Sequence, residues 1–114
     1  MSRLPVEFLK HILEECRFIN SVINDSVSYN DFITDETLKR AIVRSLEIIG
    51  EATKKIPADI KVQWSEVQWK FIAGMRDKLI HDYFGINYTI VWDVVKNKLP
   101  HVKSNIERMI NEQK

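Results

Sequence analysis

Residues 38–52, with the sequence LKRAIVRSLEIIGEA, decide the fold class of this chain. Their apolar and small side chains recur every three or four residues, which is the spacing of an α-helix that buries one face. These positions are Leu38, Ala41, Ile42, Ser45, Leu46, Ile49 and Ala52. The pattern predicts a long amphipathic helix that ends before Pro57, because the residue before a proline disfavours helical backbone.

The rest of the chain carries the same periodicity in further segments. They predict helices over roughly Pro5 to Ile23, Ser65 to Tyr83, Tyr88 to Asn97 and Pro100 to Asn111. Gly85 follows the second of these segments and is a natural C-terminal stop. No stretch alternates at period two for long enough to need a sheet. We therefore expect an all-α protein, an antiparallel bundle of four to five helices.

Length and composition indicate one folded domain. A chain of 114 residues is long enough for a single hydrophobic core, so one domain over residues 1–114 is expected. Its 45% hydrophobic and 29% charged residues are typical of a folded protein rather than a disordered one. The formal net charge of +1 lacks the large basic excess of a nucleic-acid coat protein. Any contact with RNA therefore requires a local basic patch.

Cysteine usage and hydropathy predict a cytoplasmic location. The single cysteine, Cys16, excludes an intrachain disulfide. It lies in an apolar stripe, so we expect a buried, inert thiol in a reducing compartment. No apolar run is long enough to cross a bilayer, and the first residues do not resemble a signal peptide. No membrane partner is expected.

Residues 74–85, with the sequence GMRDKLIHDYFG, contain the residue types of a possible active site. At about 100° per residue, Arg76 and Tyr83 lie within roughly 20° of one another on an ideal helix, whereas Arg76 and His81 are roughly 140° apart. The arginine and histidine can therefore meet in two ways. Either the helix frays or tightens after Ile80, or the two groups meet across a symmetric dimer.

These residue types suit cleavage of an RNA phosphodiester without a metal ion. Histidine titrates near neutral pH, so His81 can take a proton from a ribose 2′-hydroxyl or give one to the leaving oxygen. Arg76 offers permanently charged donors to the phosphate. Asp77 can orient either group, and Lys70 or Lys78 can add local positive charge. The same residue types are also common on the exposed end of a helix, so spacing alone leaves both interpretations open.

The stretch 74–85 closely resembles the R-x4-H-x-Y signature of HepT-like proteins, the HEPN-domain toxins encoded beside MNT-type nucleotidyltransferase antitoxins. Residues 41–52 are similar to the second-helix block of that family, and the resemblance extends to Val91-Trp92-Asp93 and Leu99-Pro100. The family implies a HEPN-like bundle that forms a homodimer, in which two copies of the motif face a shared cleft.

The resemblance also implies an activity and a set of partners. Arg76 and His81 would be the catalytic pair of a metal-independent endoribonuclease that uses no cofactor, with Asp77 in support. The protein would be the toxin of a type VII-like toxin–antitoxin system, with RNA as its substrate. The cognate MNT-type nucleotidyltransferase antitoxin would neutralise it by adenylylating Tyr83.

Two alternative functions stay open at this point. The chain could act chiefly as a partner and modification substrate of the nucleotidyltransferase, with weak nuclease activity of its own. It could also be a non-enzymatic helical interaction module, because helical bundles host many functions.

The predicted helix over residues 38–52 also carries a charged stripe. Four charged residues lie within roughly 40° of one line along the helix surface, opposite the apolar face: Arg40, Arg44, Glu47 and Glu51. Such a stripe is typical of a solvated face with ion pairs between residues three or four apart. The alternative is that Arg44 and Glu51 border the cleft or the dimer seam.

Other candidate sites are weaker. His11, His81 and His101 are scattered over three predicted helices without a carboxylate or cysteine at ligand spacing, so no metal site is expected. Trp69 and Trp92 lie in periodic stretches, which predicts a core or interface role. The sequence also leaves open a base-stacking role for a third tryptophan, Trp64. No glycine-rich loop for phosphate binding is present.

Overall fold

The architecture of the protein is helical throughout the part that the structure describes. A computed structural model describes residues 4–81 and 85–112, with the side chains of all these residues except 4, 5, 76 and 78–81. The helices are α1 (Leu4–Val22), α2 (Tyr29–Ile33), α3 (Glu36–Lys54), α4 (Ala58–Gln63), α5 (Trp69–His81), α6 (Tyr88–Asp93) and α7 (Leu99–Glu112). A π-helical turn, Val94–Lys98, joins α6 to α7. No strand occurs in these two ranges, and the predicted all-α fold is confirmed.

The bundle is organised around α3. This helix packs against both α1 and α5, while α1 also packs against α7. The apolar face predicted from the sequence is the buried one, since Ile42, Leu46 and Ile49 are 0% exposed. Burying each such side chain stabilises the fold by roughly 1.5–3 kcal/mol. The motif helix α5 is therefore held on a well-packed central helix.

Two short helices occur between the long helices that the sequence predicts. Helix α2 begins with a capping box, in which Ser28 Oγ accepts from Asp31 N–H and Asp31 Oδ2 accepts from Ser28 N–H, both at 3.0 Å. Hydrogen bonds to the Asp31 carboxyl from Ser28, first from its backbone N–H and then from its side chain, lower the pKa of that carboxyl. Helix α4 follows Pro57 as its N-cap. Both helices are too short for hydrophobic periodicity to show them.

The start of α5 differs from the prediction, because the helix begins at Trp69 and not near Ser65. The backbone oxygen of Trp64 accepts a hydrogen bond from Val67 N–H at 3.1 Å and another from Trp69 Nε1 at 3.0 Å. Together these bonds hold residues 64–68 in a turn. The indole of the first helical residue thus stabilises the turn that precedes the helix.

The last two predicted helices form one continuous helical stretch. Pro100 was expected to open a separate helix, but α6, the π-helical turn and α7 follow one another without a break. Leu99 N–H donates to Val94 O, a bond that spans five residues. Proline has no N–H and its ring clashes with the carbonyl four residues earlier in an α-helix. The wider turn before Pro100 relieves that clash.

The cysteine of α1 lies in the hydrophobic core. Cys16 is 1% exposed, which confirms its predicted burial, and that burial raises the pKa of the thiol to about 12. Among the helices described, none combines the length and the apolar character needed to span a membrane.

Candidate active site

The position of the motif follows from the buried face of α5. Trp69, Ile72 and Met75 recur at a spacing of three residues and are 8%, 1% and 8% exposed. They belong to the core, and the helix on which they lie packs against α3. Arg76 and Asp77 follow Met75 directly, so the motif begins where the buried stripe of α5 reaches the end of α3.

Asp77 is the motif residue whose side chain the structure describes. Its Oδ1 lies 2.5 Å from Nζ of Lys54, in the last turn of α3, and both side chains are 39% exposed. The predicted supporting residue is thus joined to the neighbouring helix by an ion pair. No motif in the sequence selects Lys54, although it lies three residues after Glu51 and close to the line of the charged stripe.

Arg76 and His81 both lie within α5, and the side chains of both are outside the described part of the chain. The backbone is α-helical from Trp69 to His81. The directions of the two residues around the helix axis therefore remain roughly 140° apart. No change of helix type lies between them in the described backbone. Tyr83 lies outside the described residues.

The chain after the motif is anchored at the start of α6. Asn87 caps this helix, and its Oδ1 accepts from Thr89 N–H at 3.1 Å and from Ile90 N–H at 3.2 Å. Before it, Gly85 has a φ of 151°, a conformation that favours glycine. Gly85 lies outside any helix. These residues define how the chain enters α6.

A cluster of aromatic side chains holds the start of α6 against α2. Phe32 is 0% exposed, and its ring centroid lies 6.0 Å from that of Tyr88 and 5.4 Å from that of Trp92. Tyr29 packs edge-on against Trp92 at 5.7 Å, and its hydroxyl lies 3.1 Å from Thr89 Oγ1. Such ring pairs add stability beyond simple burial. The start of α6 is therefore packed against α2.

The charged stripe of α3 is a solvated face for part of its length. Arg40 pairs with Glu36 at 4.0 Å, and Arg44 pairs with Glu47 at 3.6 Å. The two arginine side chains are 83% and 71% exposed. The alternative role of Arg44 and Glu51 at a cleft or dimer seam stays a prediction.

The two histidines outside the motif lie on the first and last helices of the described chain. His11 and His101 are exposed on α1 and α7. Among the residues described, no group of three or more His, Cys, Asp or Glu side chains could hold a metal ion.

The tryptophans belong to the packed interior. Trp69 is buried, and Trp92 is half-buried against Phe32, as predicted. Trp64 is only 7% exposed and has the Arg108 guanidinium 5.2 Å from its ring centroid. Arg108 also forms an ion pair with Glu66. Trp64 is therefore not an open platform for stacking a base.

Comparison with known proteins agrees with the motif. The family model for HepT-like ribonucleases matches residues 12–109. A Caldanaerobacter subterraneus subsp. tengcongensis protein, provisionally named an RNase, is 45% identical over 112 residues, covering 98% of this chain and 99% of its own length. A Methanocaldococcus jannaschii protein with the same provisional name is 46% identical over 105 residues, covering 92% and 86%.

A further relative carries the family name itself. It is a Thermococcus cleftensis protein, provisionally named ribonuclease HepT, that is 38% identical over 109 residues, covering 96% of this chain and 98% of its own length. No solved structure matches the chain. Since the family match extends from α1 into α7 and includes the whole of the stretch 74–85, the chain belongs to the HepT-like ribonuclease family.

Proposed function

We propose that this protein is a metal-independent endoribonuclease in which Arg76 and His81 are the catalytic pair. The observation that carries the proposal is the complete R-x4-H-x-Y run of residues 76–83 in a chain of the HepT-like ribonuclease family. Its residue types supply a proton acceptor and a fixed positive charge, which are the groups that this reaction needs.

The reaction uses a nucleophile that the RNA itself provides. His81 takes the proton of the ribose 2′-hydroxyl, and the 2′-oxygen attacks the adjacent phosphorus. Arg76 binds the phosphate oxygens as negative charge gathers on them. The bond to the 5′-oxygen breaks, and that oxygen takes a proton from an imidazolium or from water. The products are a 2′,3′-cyclic phosphate and a free 5′-hydroxyl.

The active unit is a homodimer in this proposal. Helix α5 is regular through His81, so one helix does not bring its own Arg76 and His81 to the same side. Two copies related by a twofold axis place the same segment of each chain against the other. A site made from Arg76 of one copy and His81 of the second copy then satisfies the geometry.

The proposal extends to a partner that controls the nuclease. The chain is the toxin of a type VII-like toxin–antitoxin pair in the cytoplasm, and an MNT-type nucleotidyltransferase is its antitoxin. The transferase joins AMP from ATP to the hydroxyl of Tyr83 and releases pyrophosphate. Tyr83 is seven residues after Arg76, so on a continued helix it would share the arginine's face. AMP at that position adds bulk and negative charge where the RNA phosphate must bind.

The chemistry of cleavage is tested with one RNA and its deoxy analogue. The purified protein is expected to cut a single-stranded RNA in EDTA as fast as in magnesium, because His81 and Arg76 replace the metal. The same oligonucleotide with a 2′-deoxyribose at the cleaved position should resist cutting there, because the nucleophile is missing. Loss of cleavage in EDTA that magnesium restores, or cutting of the deoxy position, would contradict the proposed mechanism.

A further inference from the structure

The ion pair between Lys54 and Asp77 joins α3 to the motif at a defined point. Lys54 Nζ and Asp77 Oδ1 are 2.5 Å apart, although the two residues are separated by 23 positions in the sequence. Both side chains are 39% exposed. An ion pair this accessible to water contributes little to stability. Removing the lysine charge should therefore leave the bundle folded.

Asp77 occupies the position one helical turn before His81. Residues four apart on an α-helix lie within roughly 40° of each other, and α5 is α-helical through His81. Asp77 and His81 therefore share a face of α5, whereas Arg76 and His81 do not. Among the residues of α5, Asp77 is a carboxylate placed at neighbour spacing from the proposed base.

A carboxylate in this position can orient an imidazole. It accepts a hydrogen bond from one ring N–H and so selects which ring nitrogen is free to take a proton. An ionised carboxylate has about four acceptor positions, so Asp77 can hold the Lys54 ammonium and a second donor together. The ammonium binds one carboxylate oxygen and thereby favours the Asp77 rotamers that keep this contact.

We propose that Lys54 is a positioning residue of the ribonuclease site and holds Asp77 in the orientation that His81 requires. The inference rests on the proposed function, and it adds a residue of α3 that the motif does not contain. Lys54 acts through Asp77 and makes no contact with the RNA. Its loss should therefore slow the chemical step without weakening RNA binding.

The test compares Lys54→Met with Lys54→Arg and Lys55→Met. Lys55 is the matched control, because it is the next residue, is exposed, and makes no ion pair with any described residue. For Lys54→Met we expect kcat to fall about tenfold, with KM and the melting temperature unchanged, since small errors in orientation are costly to rate. Lys54→Arg should recover most of kcat, and Lys55→Met should match the wild type.

A double variant separates positioning from phosphate binding. If Lys54 acts through Asp77, the Lys54→Met/Asp77→Asn protein should be no slower than Asp77→Asn alone. A rise in KM for Lys54→Met that grows with decreasing salt would mean that Lys54 binds RNA phosphate, and it would overturn the proposal. If the double variant instead shows the two losses of kcat added together, one from each substitution, that result would also overturn the proposal.

A nuclear magnetic resonance measurement makes the inference independent of nuclease activity. The ring ¹⁵N chemical shifts of His81 report which nitrogen carries the proton, and they should change in Lys54→Met but not in Lys55→Met. Unchanged His81 signals in Lys54→Met would overturn the role of Lys54, even in an active enzyme. An inactive wild type whose His81 signals still respond to Lys54→Met would overturn the proposed function and leave the role of Lys54 standing.

Discussion

Replacing either Arg76 or His81 by alanine is expected to lower the rate of RNA cleavage about a thousandfold. Positioned general acid–base catalysis contributes roughly 10²–10⁴-fold, which is the loss expected for His81→Ala. Removing a donor to a developing negative charge costs roughly 10²–10³-fold, which is the loss expected for Arg76→Ala. Initial rates with one labelled RNA in EDTA measure both effects.

The controls for this prediction come from exposed residues of the same types. Arg17 lies on α1 and His101 on α7, and both are exposed, so alanine at either position should leave the rate within about twofold of the wild type. Circular dichroism and the molecular mass in solution should be unchanged in all variants. A His81→Ala protein that keeps a tenth or more of the wild-type rate would remove His81 from the catalytic pair.

Adenylylation of Tyr83 is expected to lower RNA cleavage at least about a hundredfold. The phosphate of AMP would place negative charge beside Arg76, where it competes with the RNA phosphate, and the nucleoside would fill the cleft. Co-production with the cognate transferase should raise the intact mass by one or more AMP units. The cleavage rate of the modified protein measures the inhibition.

The other tyrosines of the chain serve as controls for the site of modification. Tyr29 and Tyr88 belong to the aromatic cluster at the α2–α6 contact. Phenylalanine at either position should therefore leave the mass of the AMP added by the transferase unchanged. Tyr83→Phe should remove it and yield a protein that the transferase no longer inhibits. Added AMP that survives Tyr83→Phe would contradict this part of the account.

Much of the fold could be predicted because its long helices have one apolar face each. The buried positions Ile42, Leu46 and Ile49 lie where the periodicity of residues 38–52 puts them. The short helices α2 and α4 could not be found in this way, because five or six residues contain too few turns to show a period. Their starts depend instead on local signals, the Ser28 capping box and Pro57.

The boundaries that were wrong depend on contacts that hydrophobic periodicity does not include. The indole of Trp69 reaches back to the backbone of Trp64 and delays the start of α5. Pro100 was read as a helix start, since proline is common there. The chain instead passes Pro100 within a helix by widening the preceding turn, Val94–Lys98.

The motif of the site could be recognised from sequence, but its support from α3 could not. Arg76, Asp77, His81 and Tyr83 are close together in the chain, so a local pattern is enough to select them. Lys54 meets Asp77 only because α3 and α5 pack side by side. A contact across 23 residues leaves no periodic signal in a single sequence.

The most direct test of the account mixes two inactive proteins. Arg76→Ala and His81→Ala subunits carrying different tags are co-produced, and the mixed dimer is purified through both tags. If each site takes its arginine from one subunit and its histidine from the other, the mixed dimer contains one intact site. We predict RNA cleavage in EDTA at about half the wild-type rate. Activity as low as that of the two parent variants would contradict a shared site.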